Sequence, residues 1–226
     1  MPAKVSLSNT VMKVYFIPGL GADKRVFKHI QLPGGFDMVH MEWIQPGSRE
    51  SLPSYAYRLG KTIDQGSPFA LVGLSFGGML ATEISRQLRP AKTILIASIP
   101  AAANLPPYFK MIAPLQLHKI LPIGLFQQAS LAKRLFTTET EEDKDLLRTI
   151  IRETDPHFIR WALGAIQSWK NAPAPEGIYH IHGTSDNLLP SRYVRPTHQI
   201  IGGGHLMVMN RAGEVNEMLA GILEEG

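Results

Sequence analysis

PFALVGLSFGGMLATEISRQL, running from Pro68 to Leu88, decides the reading of this chain. Pro68 to Gly73 is an unbroken apolar run, the character of a strand buried on both faces of a parallel sheet. From Met79 to Leu88 the apolar residues recur at helical spacing. The link between them, Leu74 to Gly78, is short and rich in glycine, so it reads as a tight turn. That turn closes the pattern Gly73-Leu-Ser-Phe-Gly77, in which a serine sits between a strand and a helix with a glycine two residues to either side.

The same rhythm extends in both directions. Val11 to Ile17 and Phe36 to Met41 read as strands, each followed by a helix-like stretch, near Lys24 to Ile30 and Ser54 to Ile63. Lys92 to Ser98 is β-branched and bracketed by Pro90 and Pro100, which marks another strand. From about Ala101 to Ala172 no strand candidate occurs, and helical spacing is broken at Pro106-Pro107, Pro114, Pro122, Gly124 and Pro156. The acidic helix expected over Glu139 to Glu153 carries Glu141, Glu142 and Asp143 early and Arg148 and Arg152 late, which suits the helix dipole and predicts a solvated face. Strands resume at Gly177 to His182 and Thr197 to Ile201, and a last helix runs from about Gly213 to Leu223. Alternating strands and helices build a parallel sheet covered on both faces. The expected fold is therefore α/β: a three-layer α/β/α sandwich on a mostly parallel sheet of about six strands, with a helical lid inserted after the fourth. Residues 1–100 and 173–226 form the core and 101–172 the lid, one domain overall.

Composition removes several classes of function. With 226 residues, 44% hydrophobic and 19% charged, the chain has the balance of an ordinary globular domain. The net charge of +4 is spread along the sequence instead of forming a basic tract, so no nucleic-acid partner is expected. No apolar run is long enough to span a bilayer, no leader pattern precedes the first strand, and the expected location is cytoplasmic. The chain has no cysteine, which excludes a disulfide framework, a thiolate metal site and a cysteine nucleophile. Covalent chemistry therefore falls to serine, histidine and carboxylates.

With 20 glycines in 226 residues, Gly-x-Ser-x-Gly arises by chance in roughly one such chain in ten, so its position between an apolar strand and a helix carries the weight. Ser75 is the candidate nucleophile; the plainer role is a helix cap. A serine hydroxyl needs a base, and the base needs an acceptor to orient it. Of the eight histidines, His29, His40, His118, His157, His180, His182 and His198 fall in predicted helices, strands or the lid. His205 follows the last strand in the loop Gly202-Gly-Gly-His205, from which it can reach over the carboxyl edge of the sheet. Asp186 follows the penultimate strand at the same edge, with an Asx-turn as its plainer role. The loop after the fourth strand, Ile99-Pro-Ala-Ala-Ala, offers no competing carboxylate. The order Ser75, Asp186, His205 matches that of hydrolases with this turn. Backbone N–H groups of Leu20, in Pro18-Gly-Leu-Gly21, and of Phe76 are candidate oxyanion donors, and Asp23 reads as a helix cap.

Together, Phe16-Ile-Pro-Gly-Leu-Gly21, Gly73-Leu-Ser-Phe-Gly-Gly78, His182-Gly-Thr-Ser-Asp186 and Gly203-Gly-His205 resemble the α/β-hydrolase superfamily over nearly the whole chain outside the lid. The resemblance implies a triad above the sheet, a helical cap, and neither cofactor nor metal. It also implies two strands before the first one here, which are not expected in this sequence, and a His-Gly pair where it has Pro18-Gly19. The expected activity is cleavage of an ester or thioester in a small-molecule substrate, by a monomer or homodimer. Tyr108, Phe109, Met111, Leu115, Phe126, Trp161 and Trp169 are candidates for an apolar pocket, or for packing of the lid. The alternatives are a lyase or C–C bond hydrolase acting on an anionic molecule held by Arg134 and Arg160, as in the menaquinone-pathway synthase and ring-cleavage hydrolases that the small capped form resembles, and a ligand-binding protein without turnover.

Overall fold

The computed structural model of the chain describes residues 11–112, 140–170 and 172–225. Six strands, β1 Met12–Ile17, β2 Phe36–His40, β3 Phe69–Leu74, β4 Lys92–Ile96, β5 Ile178–Gly183 and β6 His198–Ile200, form one sheet in the order β2-β1-β3-β4-β5-β6. Every neighbouring pair is parallel. The helices among the described residues are α1 Leu52–Gly60, α2 Phe76–Ser85, α3 Pro107–Ile112, α4 Glu141–Glu153, α5 Pro156–Ser168, α6 Met207–Asn210 and α7 Ala212–Glu224. The described parts of the insertion after β4 are helical, as the sequence predicts. The strand expected to run to Ser98 ends at Ile96, because Ala97 takes φ 46 and turns the chain out of the ladder.

Successive strand residues point to opposite faces, and this chain fills both. Tyr15, Ile17, Phe69, Leu71 and Leu95 pack against Tyr55 and Leu59 of α1 and Met79 and Leu80 of α2. Val14, Phe16, Ala70, Val72, Ile94 and Ile96 face the other way, onto Val26, Phe27 and the Val215, Leu219 and Ile222 stripe of α7. Continuous apolar strands are thus the direct consequence of helices on both sides.

The strand order sets the site. From β1 the chain crosses to β2 on one side, and from β3 onward it moves the other way, so the loops after β1 and β3 part at their carboxyl ends and leave a crevice. Glycine holds this point together. A Cβ on Gly77 would lie 2.2 Å from Ile17 O and 2.4 Å from Pro18 O, and one on Gly73 would lie 2.4 Å from Gly77 O. These are backbone atoms that cannot swing aside. Gly77→Ala is expected to destabilise the fold by about 3 kcal/mol, the upper range for overpacking, seen as a lowered urea midpoint; an unchanged midpoint would mean the backbone yields there.

The inserted helices dock on the sheet domain from both sides. Thr140 caps α4 by accepting from Asp143 N–H, and Asp155 caps α5, with Pro156 in its first turn. The acidic helix does not present a purely solvated face. Lys28 Nζ lies 2.8 Å from Asp143 and 2.9 Å from Glu142, Arg25 reaches Glu153 at 2.6 Å, and Leu147 and Ile150 join the cluster of Val26 and Phe27. On the other side, α5 buries Phe158, Ala162 and Ile166 against α1 and α2, and the buried Trp169 indole N–H donates to Glu83 at 2.9 Å.

Candidate active site

Parallel register aligns the carboxyl ends of the strands, so the loops after β1, β3, β5 and β6 gather at one edge. Ser75 stands there in a strained turn, φ 52 and ψ −116. That conformation disfavours any residue with a Cβ and is held only by its surroundings. Ser75 N–H donates to Ile96 O at 2.9 Å, and the Ser98 hydroxyl donates to Ser75 O at 2.6 Å. The turn is thus tied to the end of β4.

The loop after β6 brings His205 Nε2 to 2.8 Å from Ser75 Oγ, and its Nδ1 lies 2.8 Å from Asp186 Oδ2. A carboxylate only accepts, so Nδ1 carries hydrogen; the neutral ring's Nε2 is then bare and accepts the Ser75 hydroxyl proton. His205 and Asp186 are each 3% exposed, so little water competes for these bonds. The Asx-turn also occurs, on the other carboxylate oxygen: Leu188 and Leu189 N–H both donate to Asp186 Oδ1 at 2.8 Å. Burial pushes the Asp186 carboxyl up, but His205, the Leu189 amide and His182 together outweigh it and hold it below its ordinary value. The loops interlock as well, since Ser185 N–H donates to Gly203 O, and a Cβ on Gly183 would lie 2.1 Å from that oxygen.

The loop carrying Leu20 lies against Ser75, where a Cβ on Gly19 would meet Ser75 Cβ at 3.4 Å. Phe76 opens α2 directly after Ser75. Asp23 caps the turn at Lys24–Phe27 by accepting from Arg25 N–H. Among the proposed pocket residues, Trp169 is buried in the core. Trp161 lies against Tyr55, with ring centroids 4.3 Å apart and the planes tilted by 39°, and donates to Glu50 O. The Tyr108 hydroxyl donates to Leu188 O, above the acid loop. Phe109 packs at the edge of the core and Met111 belongs to α3. Leu115, Phe126 and Arg134 lie outside the described residues, and Arg160 is half-buried on α5. A separate cavity of about 290 Å³ lies between Ala22–Arg25, Trp43 and the facing ends of α4 and α5, and is lined by none of Ser75, His205 or Asp186. Among the described residues no cluster of three or more His, Asp or Glu stands ready for a metal, and no helix is long and apolar enough to cross a membrane.

Two features of the site escape the sequence reading: Ser98 and a buried histidine pair beside Asp186. His180 and His182 sit two apart on β5, so they share a face, and His180 Nε2 lies 3.0 Å from His182 Nδ1. That i, i+2 spacing on a predicted strand was the available signal. Burial, with His182 beside it, pulls the His180 ring down to about 3 from its ordinary 6.5. The folded protein therefore holds this ring neutral where the unfolded chain protonates it. Below pH 6.5 the unfolded state binds more protons, so stability falls with falling pH, with a slope approaching about 1.4 kcal/mol per unit from this residue. Urea unfolding from pH 7 to 4 is expected to show this decline, and His180→Leu to flatten it.

A family model described as the alpha/beta hydrolase family matches residues 14–218, and the chain belongs to that family. Similar solved structures include a bromoperoxidase from Bacillus anthracis, 19% identical with a TM-score of 0.74 over 96% of this chain and 93% of its own. An esterase from Exiguobacterium antarcticum is 14% identical, TM-score 0.72, over 95% and 92%. The enol-lactonase from Burkholderia xenovorans LB400 is 16% identical, TM-score 0.72, over 95% and 92%. At these identities the likeness is one of fold. No curated protein matches the chain in sequence.

Proposed function

We propose that this hydrolase cleaves a carboxylic ester or thioester of a small molecule through an acyl-enzyme on Ser75. The observation that carries the reading is the unbroken chain of two 2.8 Å bonds from Ser75 Oγ through His205 to Asp186. As Oγ attacks the carbonyl carbon, His205 Nε2 takes its proton, and the imidazolium so formed is paired with the Asp186 carboxylate. Leu20 and Phe76 N–H groups stabilise the developing oxyanion; the second also opens α2, where the helix dipole favours negative charge. Collapse expels the alcohol or thiol, which takes the proton from His205. Water, deprotonated by the same ring, then attacks the acyl-enzyme and frees Ser75 with a carboxylic acid. Attack, proton transfer and release are complete with these groups, and a lactone, as an internal ester, fits the same steps. The insertion between β4 and β5 serves as the lid that sets access, with 1–100 and 173–226 as the catalytic core.

The test is hydrolysis of p-nitrophenyl esters from acetate to long-chain acyl, together with labelling by a fluorophosphonate. Turnover with a chain-length optimum, lost as one phosphonyl group is added at Ser75, supports the reading. Absence of both turnover and labelling across the series overturns it.

A further inference from the structure

His182 is fully buried beside Asp186. Its Nε2 lies 2.8 Å from Leu189 O and 3.7 Å from Asp186 Oδ2, and its Nδ1 lies 3.0 Å from His180 Nε2. These contacts fix the protons. A carbonyl oxygen only accepts, so His182 Nε2 carries hydrogen; the neutral ring's Nδ1 is then bare and accepts from His180 Nε2–H. Burial favours this neutral form of His182. Leu189 is also the residue whose N–H donates to Asp186 Oδ1. His182 therefore grips by its carbonyl the same residue that grips the carboxylate by its amide. Leu188, the other amide donor, is held through its carbonyl by Tyr108.

We propose that His182 is the positioning residue of the Asp186–His205 pair: its Nε2–H fixes the 186–189 turn through Leu189 O, and its lack of charge leaves the Asp186 carboxylate to His205. The proposal rests on the serine-hydrolase reading of the same site. Other residue types fail one of the two requirements. Lysine or arginine would bring a cation within reach of Asp186 and compete with the imidazolium that forms at His205. An aliphatic residue would remove a donor from the Leu189 carbonyl in a place water does not reach. Placement matters at this range, since misplacing a catalytic group by ~1 Å costs on the order of 100-fold in rate.

Two isosteric variants separate the donor from mere filling of space. His182→Gln keeps an N–H at the distance of Nε2, towards Leu189 O. His182→Asn puts its amide at the position of Nδ1, beside His180, and falls short of Leu189. Both are measured for kcat and KM on p-nitrophenyl acetate and for the far-downfield proton signal of the His205 Nδ1–H···Asp186 bond, with Ser75→Ala and Asp186→Asn alongside. Expected for His182→Asn is a kcat lowered about 10- to 100-fold, KM within about twofold, and a weakened or shifted downfield signal. His182→Gln is expected to keep kcat within about threefold of wild type with the signal in place. Wild-type kcat and signal in His182→Asn would overturn the proposal, as would an equal loss in His182→Gln with its fold intact. Should Ser75→Ala and Asp186→Asn themselves turn over ester at the wild-type rate, the hydrolase reading fails first, which is a distinct result.

Discussion

Ser75→Ala is expected to lower kcat for any ester the wild type hydrolyses by on the order of 10⁶-fold, because no other group can take up the acyl chain once the nucleophile is gone. Binding, and the proposed oxyanion donors at Leu20 and Phe76, are untouched by the change. Activity is thus lost without loss of fold, and thermal unfolding should place Ser75→Ala close to wild type, since alanine keeps the Cβ that strains the turn. Ser75→Gly is expected to be equally inactive yet more stable than Ser75→Ala. At φ 52 and ψ −116, removing the Cβ relieves about 1–3 kcal/mol of backbone strain. Against this stands the greater freedom of glycine in the unfolded chain, about 0.5–1 kcal/mol. The balance favours Ser75→Gly by about 1 kcal/mol. An alanine variant that keeps turnover would remove Ser75 from the chemistry; a glycine variant less stable than the alanine one would show the turn is not strained as its angles imply.

Much of this arrangement was legible because it is written in short-range pattern. Apolar runs such as Phe69 to Val72 identify strands covered on both faces, and one strand, turn and helix around Ser75 places a nucleophile at a known edge. Chain order then puts Asp186 and His205 after the last two strands at that same edge. What stayed hidden depends on long-range partners. The acidic turn of α4 looks solvated until Lys28, over a hundred residues away, is found at 2.8 Å from Asp143. Trp169 is open to either pocket lining or lid packing until Glu83 is seen accepting its N–H within the core. His180 and His182 look like strand residues because their meaning lies in Leu189 O and Asp186, which only tertiary packing brings to them. Asp186 is instructive in another way. The Asx-turn and the partnership with His205 were read as rivals, and the two carboxylate oxygens make one each.

That division of labour makes Asp186→Asn unusually informative. Wild-type Oδ1 accepts two backbone N–H bonds, from Leu188 and Leu189, while Oδ2 faces His205 Nδ1. In Asp186→Asn only the amide oxygen can accept those two backbone bonds, so the NH₂ group is forced towards His205. An NH₂ group donates, so His205 Nδ1 must turn acceptor, and the hydrogen of the neutral ring moves to Nε2. The ring then points a proton at Ser75 Oγ where it should receive one, and the imidazolium of the transition state loses its counter-charge. The expected loss in kcat is on the order of 10⁴-fold, smaller than for Ser75→Ala because the Ser75 hydroxyl remains. KM should change little, and the far-downfield His205 proton signal should vanish, since a charge-assisted bond has become a neutral one. Retention of that signal, or a loss in rate below about tenfold, would mean that the asparagine rotates its oxygen towards His205, and that the two backbone donors command the orientation less than their 2.8 Å geometry implies.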